Sequence, residues 1–328
     1  MVDTKASDCR TIGHFYGVDG KKLQRQYKDY LSDFKDWEQK GHAKQWLIFP
    51  ENIGPYLSID ETALSKGELY TIITNKKAKG RKGSIVAIFS GTKVEPIIEQ
   101  LMKISAKERA KVKEITLDMA NSMKTMAKKC FPGAIQVTDR FHVQKLAIEA
   151  LQDIRIKHRW DAIDLENEQI KQARAKNSTF VPKEFNNGDT RKQLLARSRY
   201  LLYKAPNNWT ENQYTRSRIL FDQYPDIKIA FDLVQGLRNI FNTATSIETA
   251  YTKLAHWHKD VENTGFRAFN TIANTISLNY RSILNYFINR STNASAESFN
   301  AKIKAFRAQF RGVKNVEFFL YRLTTIFA

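Results

Sequence analysis

The sequence is poor in cysteine and has no long apolar run, and both shortages exclude classes of protein. Its only two cysteines are Cys9 and Cys130, so neither a disulfide framework nor a cysteine-based zinc site can form within the chain. No run approaches the roughly 20 apolar residues of a membrane span, and the first residues, MVDTKASDCR, lack the apolar core of a signal peptide. We expect a cytoplasmic protein that has no membrane partner.

Acidic residues are also scarce relative to basic ones. The 34 Asp and Glu face 53 Lys and Arg, which leaves a formal charge of +19 that is spread along the chain. A hydrophobic content of 42% in 328 residues is enough for a globular core in one large or two ordinary domains. With 12% aromatic residues, this charge favours a nucleic-acid partner over a merely basic soluble protein.

Five segments are predicted as strands: YLSIDETAL, ELYTIITN, GSIVAIFSG, KEITLDMA and AIQVTDRFH. Helical patterns precede the fourth and the fifth strand, which indicates a mixed sheet with parallel crossovers in its second half. The second and third strands are joined by a basic link, KKAKGRK, which includes Lys76, Lys79 and Arg81. This tip is either a solvated turn or a DNA contact.

The rest of the chain reads as helix. Before the first strand, one amphipathic helix or two short ones carry apolar residues at helical spacing, and we expect the segment to dock on the following domain or on another chain. Those residues are Leu23, Tyr27, Tyr30, Leu31 and Phe34. From Val143 to about Tyr280 no convincing strand is present. Most aromatic residues there are predicted to be core, with base stacking by Trp209 as the alternative.

Two aspartates are predicted to meet at one edge of the sheet. Asp60 and Asp118 each close a predicted strand on the face opposite its aliphatic residues, and adjacent parallel strands would bring them together. A shared cation would offset their repulsion, and oxygen ligands suit magnesium or manganese. Glu297 would complete a site for two ions about 4 Å apart, as in phosphodiester chemistry. Taken singly, a strand-end aspartate is more often a turn or cap residue than a metal ligand, and only the pair makes the two interpretations equal.

Glu297 itself has two interpretations. It lies near the start of a predicted basic helix, NASAESFNAKIKAFRAQFR, where an acid is favoured by the helix dipole and where Asn293 or Ser295 reads as the N-cap. Alternatively it is a metal ligand, with Asn300 and Lys304 on the same helical face. Further basic residues on this helix are predicted to contact the DNA backbone: Lys302, Arg307 and Arg311.

Four blocks of the sequence together resemble a known family. They are SIDE at Asp60, LDMA at Asp118, VTDRFHVQKL at Asp139 and NASAESFNAKIK around Glu297. In this order they resemble bacterial insertion-sequence transposases of the DDE type, in the group written ISL. The resemblance implies an α/β fold: a ribonuclease H-like mixed five-stranded sheet flanked by helices and interrupted after the fifth strand by an all-α insertion.

The resemblance also implies a division of the chain and a set of site residues. Residues 47–142 and 286–328 would form the catalytic core, residues 143–285 the helical insertion, and residues 1–46 an N-terminal helical segment. The triad of magnesium ligands would be Asp60, Asp118 and Glu297. Residues implied or predicted to touch those ligands or the DNA are Asp139, Arg140, His142, Asn300 and Lys304. From the sequence alone, His142 is equally a structural helix cap.

The activity implied is hydrolysis of a phosphodiester at the element ends, followed by 3′-hydroxyl strand transfer to double-stranded target DNA without a covalent protein intermediate. Synapsis of two ends predicts a homodimer that acts at the bacterial nucleoid. Relatives carry an N-terminal zinc-binding and helix-turn-helix region, whereas no Cys or His cluster precedes the core here. A zinc-free element or, as we favour, a separately encoded protein would recognise the ends. A nuclease or resolvase, or a domesticated DNA-binding protein, is the alternative.

Overall fold

The computed structural model describes residues 1–65, 67–310 and 313–328, and the chain forms two compact units. The first unit joins residues 1–139 with residues 289–328, and the second consists of residues 140–288. The first unit is therefore built from two distant parts of the sequence.

The first unit contains a mixed sheet with helices on both faces, which confirms the predicted α/β class. In the described residues the sheet has six strands in the order β1-β4-β3-β2-β5-β6, with parallel pairing only in β2–β5 and β5–β6. The prediction of five strands missed β1, which is too short to show an alternating pattern. The strands are β1 Trp46–Ile48, β2 Tyr56–Ser65, β3 Glu68–Asn75, β4 Ile85–Ser90, β5 Glu114–Leu117 and β6 Ile135–Thr138.

Each face of this sheet is buried by its own set of helices. Leu57, Ile59 and Ile115 pack with apolar residues of α3 and α5 on one face. On the other face, Leu64 and Ile72 pack with α15 and α16. The helices of the first unit are α1 Cys9–Tyr16, α2 Gly20–Gln26, α3 Val94–Leu101, α4 Ala106–Arg109, α5 Asn121–Cys130, α15 Ala294–Gln309 and α16 Val316–Phe327.

Two strand boundaries differ from the prediction. Asp60 does not end its strand, because β2 continues to Ser65 in antiparallel pairing with β3 after its parallel pairing with β5 has stopped at Ser58. The predicted fifth strand is too long, since β6 ends at Thr138 and helix α6 begins at Arg140. The aliphatic and polar alternation alone could not show where a strand changes partners.

The N-terminal segment packs on the last helix of the same unit. Tyr27, in a π-helical turn after α2, and Phe34 are buried against Phe318 and Tyr321 of α16. Arg322, also on α16, is fully buried and donates hydrogen bonds to backbone carbonyl oxygens of the first seven residues. Two of the residues predicted for the apolar face, Tyr30 and Leu31, are exposed instead because the helix ends in this turn.

The second unit is helical throughout its regular structure, and α6 forms one continuous helix of 36 residues. Trp257 is buried in the core and donates to the Leu233 carbonyl oxygen. Trp209 is half-buried, donates to the Leu201 carbonyl oxygen and packs on Phe231, so its ring contacts the protein. The core prediction is wrong for Trp160, which is 60% exposed. The helices are α6 Arg140–Ala175, α7 Arg191–Arg197, α8 Arg199–Tyr203, α9 Glu211–Gln223, α10 Pro225–Thr243, α11 Ile247–Thr264, α12 Arg267–Leu278, α13 Tyr280–Leu284 and α14 Tyr286–Asn289.

Across the described ranges, we find no helix that combines the length and the apolar character needed to span a membrane.

The packing of α15 on the sheet predicts a stability difference between two Phe→Ala variants. Phe306 of α15 is fully buried against the sheet and against Phe319 of α16. Phe306→Ala should therefore lower the free energy of unfolding by about 3–5 kcal/mol. Phe15 is 78% exposed, and Phe15→Ala should change it by less than about 0.5 kcal/mol. Urea titration followed by circular dichroism measures both, and equal losses would contradict the assigned core.

Candidate active site

Three aspartates are brought to one edge of the sheet by the strand register. Ser58 pairs with Thr116 in the parallel β2–β5 ladder, so Asp60 and Asp118 each lie two residues beyond this pair. Leu117 pairs with Thr138, and Asp118 and Asp139 each follow directly. The Asp139 amide donates to the Leu117 carbonyl oxygen at 3.0 Å, which continues the pairing by one residue. The carboxyl ends of neighbouring parallel strands thus gather three acids.

Glu297 comes to the same edge on helix α15. Phe299 and Ile303 of α15 pack in the cluster that contains Ile72, and Asp60 pairs across the sheet with Ile72 and so shares its face. Asn300, buried one turn after Glu297, donates its Nδ2 hydrogen to Asp60 Oδ2 at 2.7 Å. The helix is therefore tied directly to the first aspartate.

The carboxylates of Asp139 and Glu297 lie close together. Asp139 is only 1% exposed, and one of its carboxylate oxygens lies within 4.8 Å of an oxygen of Glu297, which is exposed. The prediction placed Asp139 beside the ligands or the DNA, and this short separation makes it a candidate ligand as well. The edge thus presents four carboxylates rather than three.

Two asparagines anchor the chain where it re-enters the first unit. Asn293 is buried, and its Oδ1 accepts a short hydrogen bond from the Ser58 hydroxyl of β2. Asn289 donates from Nδ2 to Glu114 Oε2 of β5 at 3.2 Å. Asn293 is the N-cap residue of α15, as one of the two predicted alternatives had it, but its side chain forms no capping hydrogen bond and contacts the sheet instead. These contacts position the first turn of α15, which carries Glu297.

The electrostatics of the edge reflect its accumulated negative charge. Burial raises the pKa of Glu61, and the charges of Asp118 and Asp60 raise this pKa further. Two lysines lie near the acids. Burial lowers the pKa of Lys124, opposed by the charge of Asp118, and burial likewise lowers the pKa of Lys76, opposed mainly by Glu114 and then by Asp139. The acids therefore sit in a field that attracts a further cation.

Lys76 was predicted to lie in the exposed basic tip, and the structure corrects this. Its ammonium group donates to Thr116 Oγ1 at 2.7 Å and lies 3.7 Å from Glu114 Oε1, with only 15% of the side chain exposed. Nothing in the periodicity of the link separates it from its neighbours. Neither Lys76 nor Glu114 nor Asn289 was identified from the sequence as part of this network, because the residues are far apart in the chain.

The other predicted DNA contacts of the first unit lie on exposed positions around α15 and the β3–β4 link. Lys79, Arg81 and Lys304 are exposed. The Lys302 ammonium donates to the Gly80 carbonyl oxygen at 3.0 Å, which ties the basic helix to the basic link. Arg307 donates from Nη1 to the Ala63 carbonyl oxygen at 3.1 Å. Arg311, also predicted as a DNA contact, lies outside the described residues.

Arg140 and His142 lie in the first turn of α6, in the second unit. Arg140 donates from Nη1 to Asn242 Oδ1 at 3.3 Å, and its guanidinium lies 5.7 Å from the centre of the Tyr286 ring. His142 is half-buried, and its ring meets that of Phe141 edge-on at 5.6 Å.

The donor set at this edge fits a hard divalent cation. Asp60, Asp118, Asp139 and Glu297 offer only carboxylate oxygens, and such ligands select Mg²⁺ or Mn²⁺ rather than softer metals. Asn300 donates a hydrogen bond that orients the Asp60 carboxylate, as the outer partners of metal-binding carboxylates do.

The comparison with known sequences identifies the family of the chain. The chain belongs to the ISL3-type DDE transposase family, whose model, described as a transposase, matches residues 57–323. The transposase for insertion sequence element IS1557 of Mycobacterium tuberculosis is 29% identical over 143 residues, 42% of this chain and 31% of that protein. The transposase for insertion sequence element IS1001 of Bordetella parapertussis is 22% identical over 275 residues, or 83% of this chain.

This similarity confirms the predicted family resemblance. The matched part amounts to 61% of the length of the Bordetella protein, so the chain spans less than two thirds of either relative.

The hydrogen bond from Asn300 to Asp60 predicts an effect on cation binding. Asn300→Ala removes the group that orients Asp60 Oδ2, and we expect the affinity for Mn²⁺ to fall by about 10–100-fold. Asn263→Ala, at an exposed position of the second unit, should leave the affinity unchanged. Isothermal titration with Mn²⁺ measures both. Equal affinity of the two variants would show that Asn300 has only a packing role.

Proposed function

We propose that this chain is a DNA transposase that hydrolyses the phosphodiester at the ends of an insertion sequence and transfers the freed 3′-hydroxyl to target DNA. The observation that carries the proposal is the convergence of Asp60, Asp118, Asp139 and Glu297 at one sheet edge, from four separate segments of the chain. Membership of the transposase family supports the same reading.

Asp60, Asp118 and Glu297 would hold two magnesium ions, with manganese as a substitute and Asp139 as an additional candidate ligand. When bound, these ions would activate a water or a 3′-hydroxyl and stabilise the leaving oxygen. The side chains would fix the geometry: Asn300 holds Asp60, and Asn293 holds the start of α15 against β2. Because the acids need no protein nucleophile, strand joining would proceed without a protein–DNA ester.

The DNA backbone would be held by basic side chains close to these acids. Lys304 follows Glu297 by two helical turns and is exposed, so its ammonium group can reach a phosphate beside the site. Lys79 and Arg81 extend from the β3–β4 link, which Lys302 ties to α15. We also propose that Arg307, Arg140 and His142 contact the DNA or orient the acids.

The assembly follows from the reaction. Two element ends must be cut and joined together, so we propose that the chain acts as a homodimer on double-stranded DNA within the bacterial nucleoid. The separately encoded end-recognition protein stays a prediction.

Removing any one acid of the triad should abolish catalysis but leave DNA binding intact. Asp60→Asn, Asp118→Asn and Glu297→Gln each keep the side-chain shape while removing charge, and we expect cleavage and joining to fall by more than about 100-fold. Glu99→Gln, at an exposed position of α3, is the matched control. The assay uses a labelled duplex of element ends with Mg²⁺, and chelation of the metal should also stop the reaction.

Three outcomes of this assay are informative. Full activity of Glu297→Gln would show that this acid is only favoured by the helix dipole and would contradict the triad. Cleavage without joining by the unmodified chain would instead support a nuclease or resolvase. A trapped covalent protein–DNA ester would rule out direct transesterification.

The basic link predicts a change in the salt dependence of DNA binding. Lys79→Ala combined with Arg81→Ala should lower the slope of log affinity against log salt by about two, because each phosphate contact contributes about 0.9. Lys107→Ala combined with Lys128→Ala removes the same charge from exposed positions in α4 and α5 and should change the slope little. Fluorescence anisotropy with duplex DNA measures this, and equal slopes for the two double variants would place the DNA elsewhere.

A further inference from the structure

Three arginines that have no role assigned above gather on the second unit. Arg155 and Arg159 lie one helical turn apart on α6, and Arg199 is the first residue of α8. The two helices pack together, and Gln152 of α6 donates from Nε2 to the Arg199 carbonyl oxygen at 3.3 Å. We call these three residues the arginine cluster.

The Arg155 side chain is buried and is held by hydrogen bonds within the second unit. It is 4% exposed, and its guanidinium donates from Nε to Gln152 Oε1 at 2.7 Å and from Nη1 to the Leu195 carbonyl oxygen at 2.8 Å. Burial lowers the pKa of Arg155, and the charges of Arg159 and Arg199 lower this pKa further. Arg159 and Arg199 therefore each lie close enough to Arg155 for their charges to repel it.

Within the described part of the chain, no carboxylate is paired with these three guanidinium groups. Among the described residues, none of the three guanidinium groups forms an ion pair, whereas Arg197 and Arg216 of the same unit both pair with the buried Asp189. The second unit thus contains arginines that are paired with a carboxylate and arginines that are not. Clustered cations that lack an internal anion are the electrostatic signature of a surface that receives an external anion.

The outer side of the cluster is accessible and aromatic. Arg159 and Arg199 are exposed, and the Arg199 guanidinium lies 5.4 Å from the centre of the exposed Tyr200 ring. The exposed Tyr203 is one turn further along α8, and its carbonyl oxygen accepts from Arg238 Nη2 at 2.9 Å. Guanidinium groups beside exposed tyrosines suit a ligand that offers both phosphates and bases.

We propose that the arginine cluster and Tyr200 form a second nucleic-acid contact, in which the cluster binds phosphodiester groups of DNA. The proposal rests on the proposed function, since it takes the ligand to be DNA handled by the same chain. Arg155 holds its position through the protein, while Arg159 and Arg199 meet the phosphates. Such contacts would add affinity that does not depend on base sequence.

The test compares two double variants that remove the same charge from exposed positions of the same unit. Arg159→Gln with Arg199→Gln removes the accessible part of the cluster, and Arg218→Gln with Arg267→Gln is the control. Fluorescence anisotropy measures the affinity for labelled duplex and single-stranded DNA at salt concentrations from about 50 to 200 mM. The cluster variant should lower the salt slope by about two for duplex, at about 0.9 per phosphate, or by about 1.4 for a single strand.

A fall in slope for either form of DNA, with the control unchanged, supports the proposal and shows which form is bound. Equal falls of the salt slope in both variants would show that the effect comes from net charge and would overturn the proposal. An unchanged salt slope in the cluster variant would also overturn the proposal. Isothermal titration with inorganic phosphate tests whether the cluster binds a small anion instead of DNA. Loss of phosphate binding in the cluster variant, together with an unchanged salt slope for DNA, would also overturn the proposal.

The proposed function is tested separately by magnesium-dependent cleavage with the unmodified chain. Cleavage together with an unchanged slope in the cluster variant would refute only the cluster. Absence of cleavage together with a lowered slope would leave the DNA contact standing and refute the reaction.

Discussion

Four carboxylates that repel one another lie at one edge of the sheet, and the first unit has to hold them there. Asp60, Asp118 and Asp139 are forced together by the register of β2, β5 and β6, and Glu297 is added from a helix on one face of the sheet. Such a group is unfavourable without cations, and the partly buried Lys76 and Lys124 lie nearby. A chain of charge +19 that concentrates acids in one place fits the proposed binding of divalent cations with a polyanion beside them.

Glu297 has to be brought back to the sheet from far along the sequence, because the whole second unit lies between Asp139 and Glu297 in the chain. The return is anchored by side chains rather than by strand pairing: Asn289 bonds to Glu114, Asn293 to Ser58, and Asn300 to Asp60. Apolar burial then holds the helix, since Phe299 and Ile303 pack on the face that carries Asp60. The geometry of the candidate site thus depends on short-range polar contacts between segments that are distant in sequence.

The local pattern of the sequence was sufficient for the mixed sheet, the helices and the approach of β2 to β5, because alternation and helical periodicity are local properties. It was insufficient for contacts between distant segments. Lys76 reads as one lysine among several in a basic link, yet it is buried against Thr116. Asn293 reads as a helix cap, yet it bonds to a strand. The extension of β2 past Asp60 and the burial of Asp139 beside Glu297 likewise depend on partners that local sequence does not identify.

The central claim is that the gathered carboxylates are ligands for divalent metal ions. Crystals of the chain soaked in Mn²⁺ and measured at the manganese absorption edge test this directly, since anomalous difference peaks locate the ions without reference to activity. The account predicts peaks within coordination distance of Asp60, Asp118 and Glu297. Manganese bound only at other positions, with these carboxylates contacting protein groups alone, would contradict it.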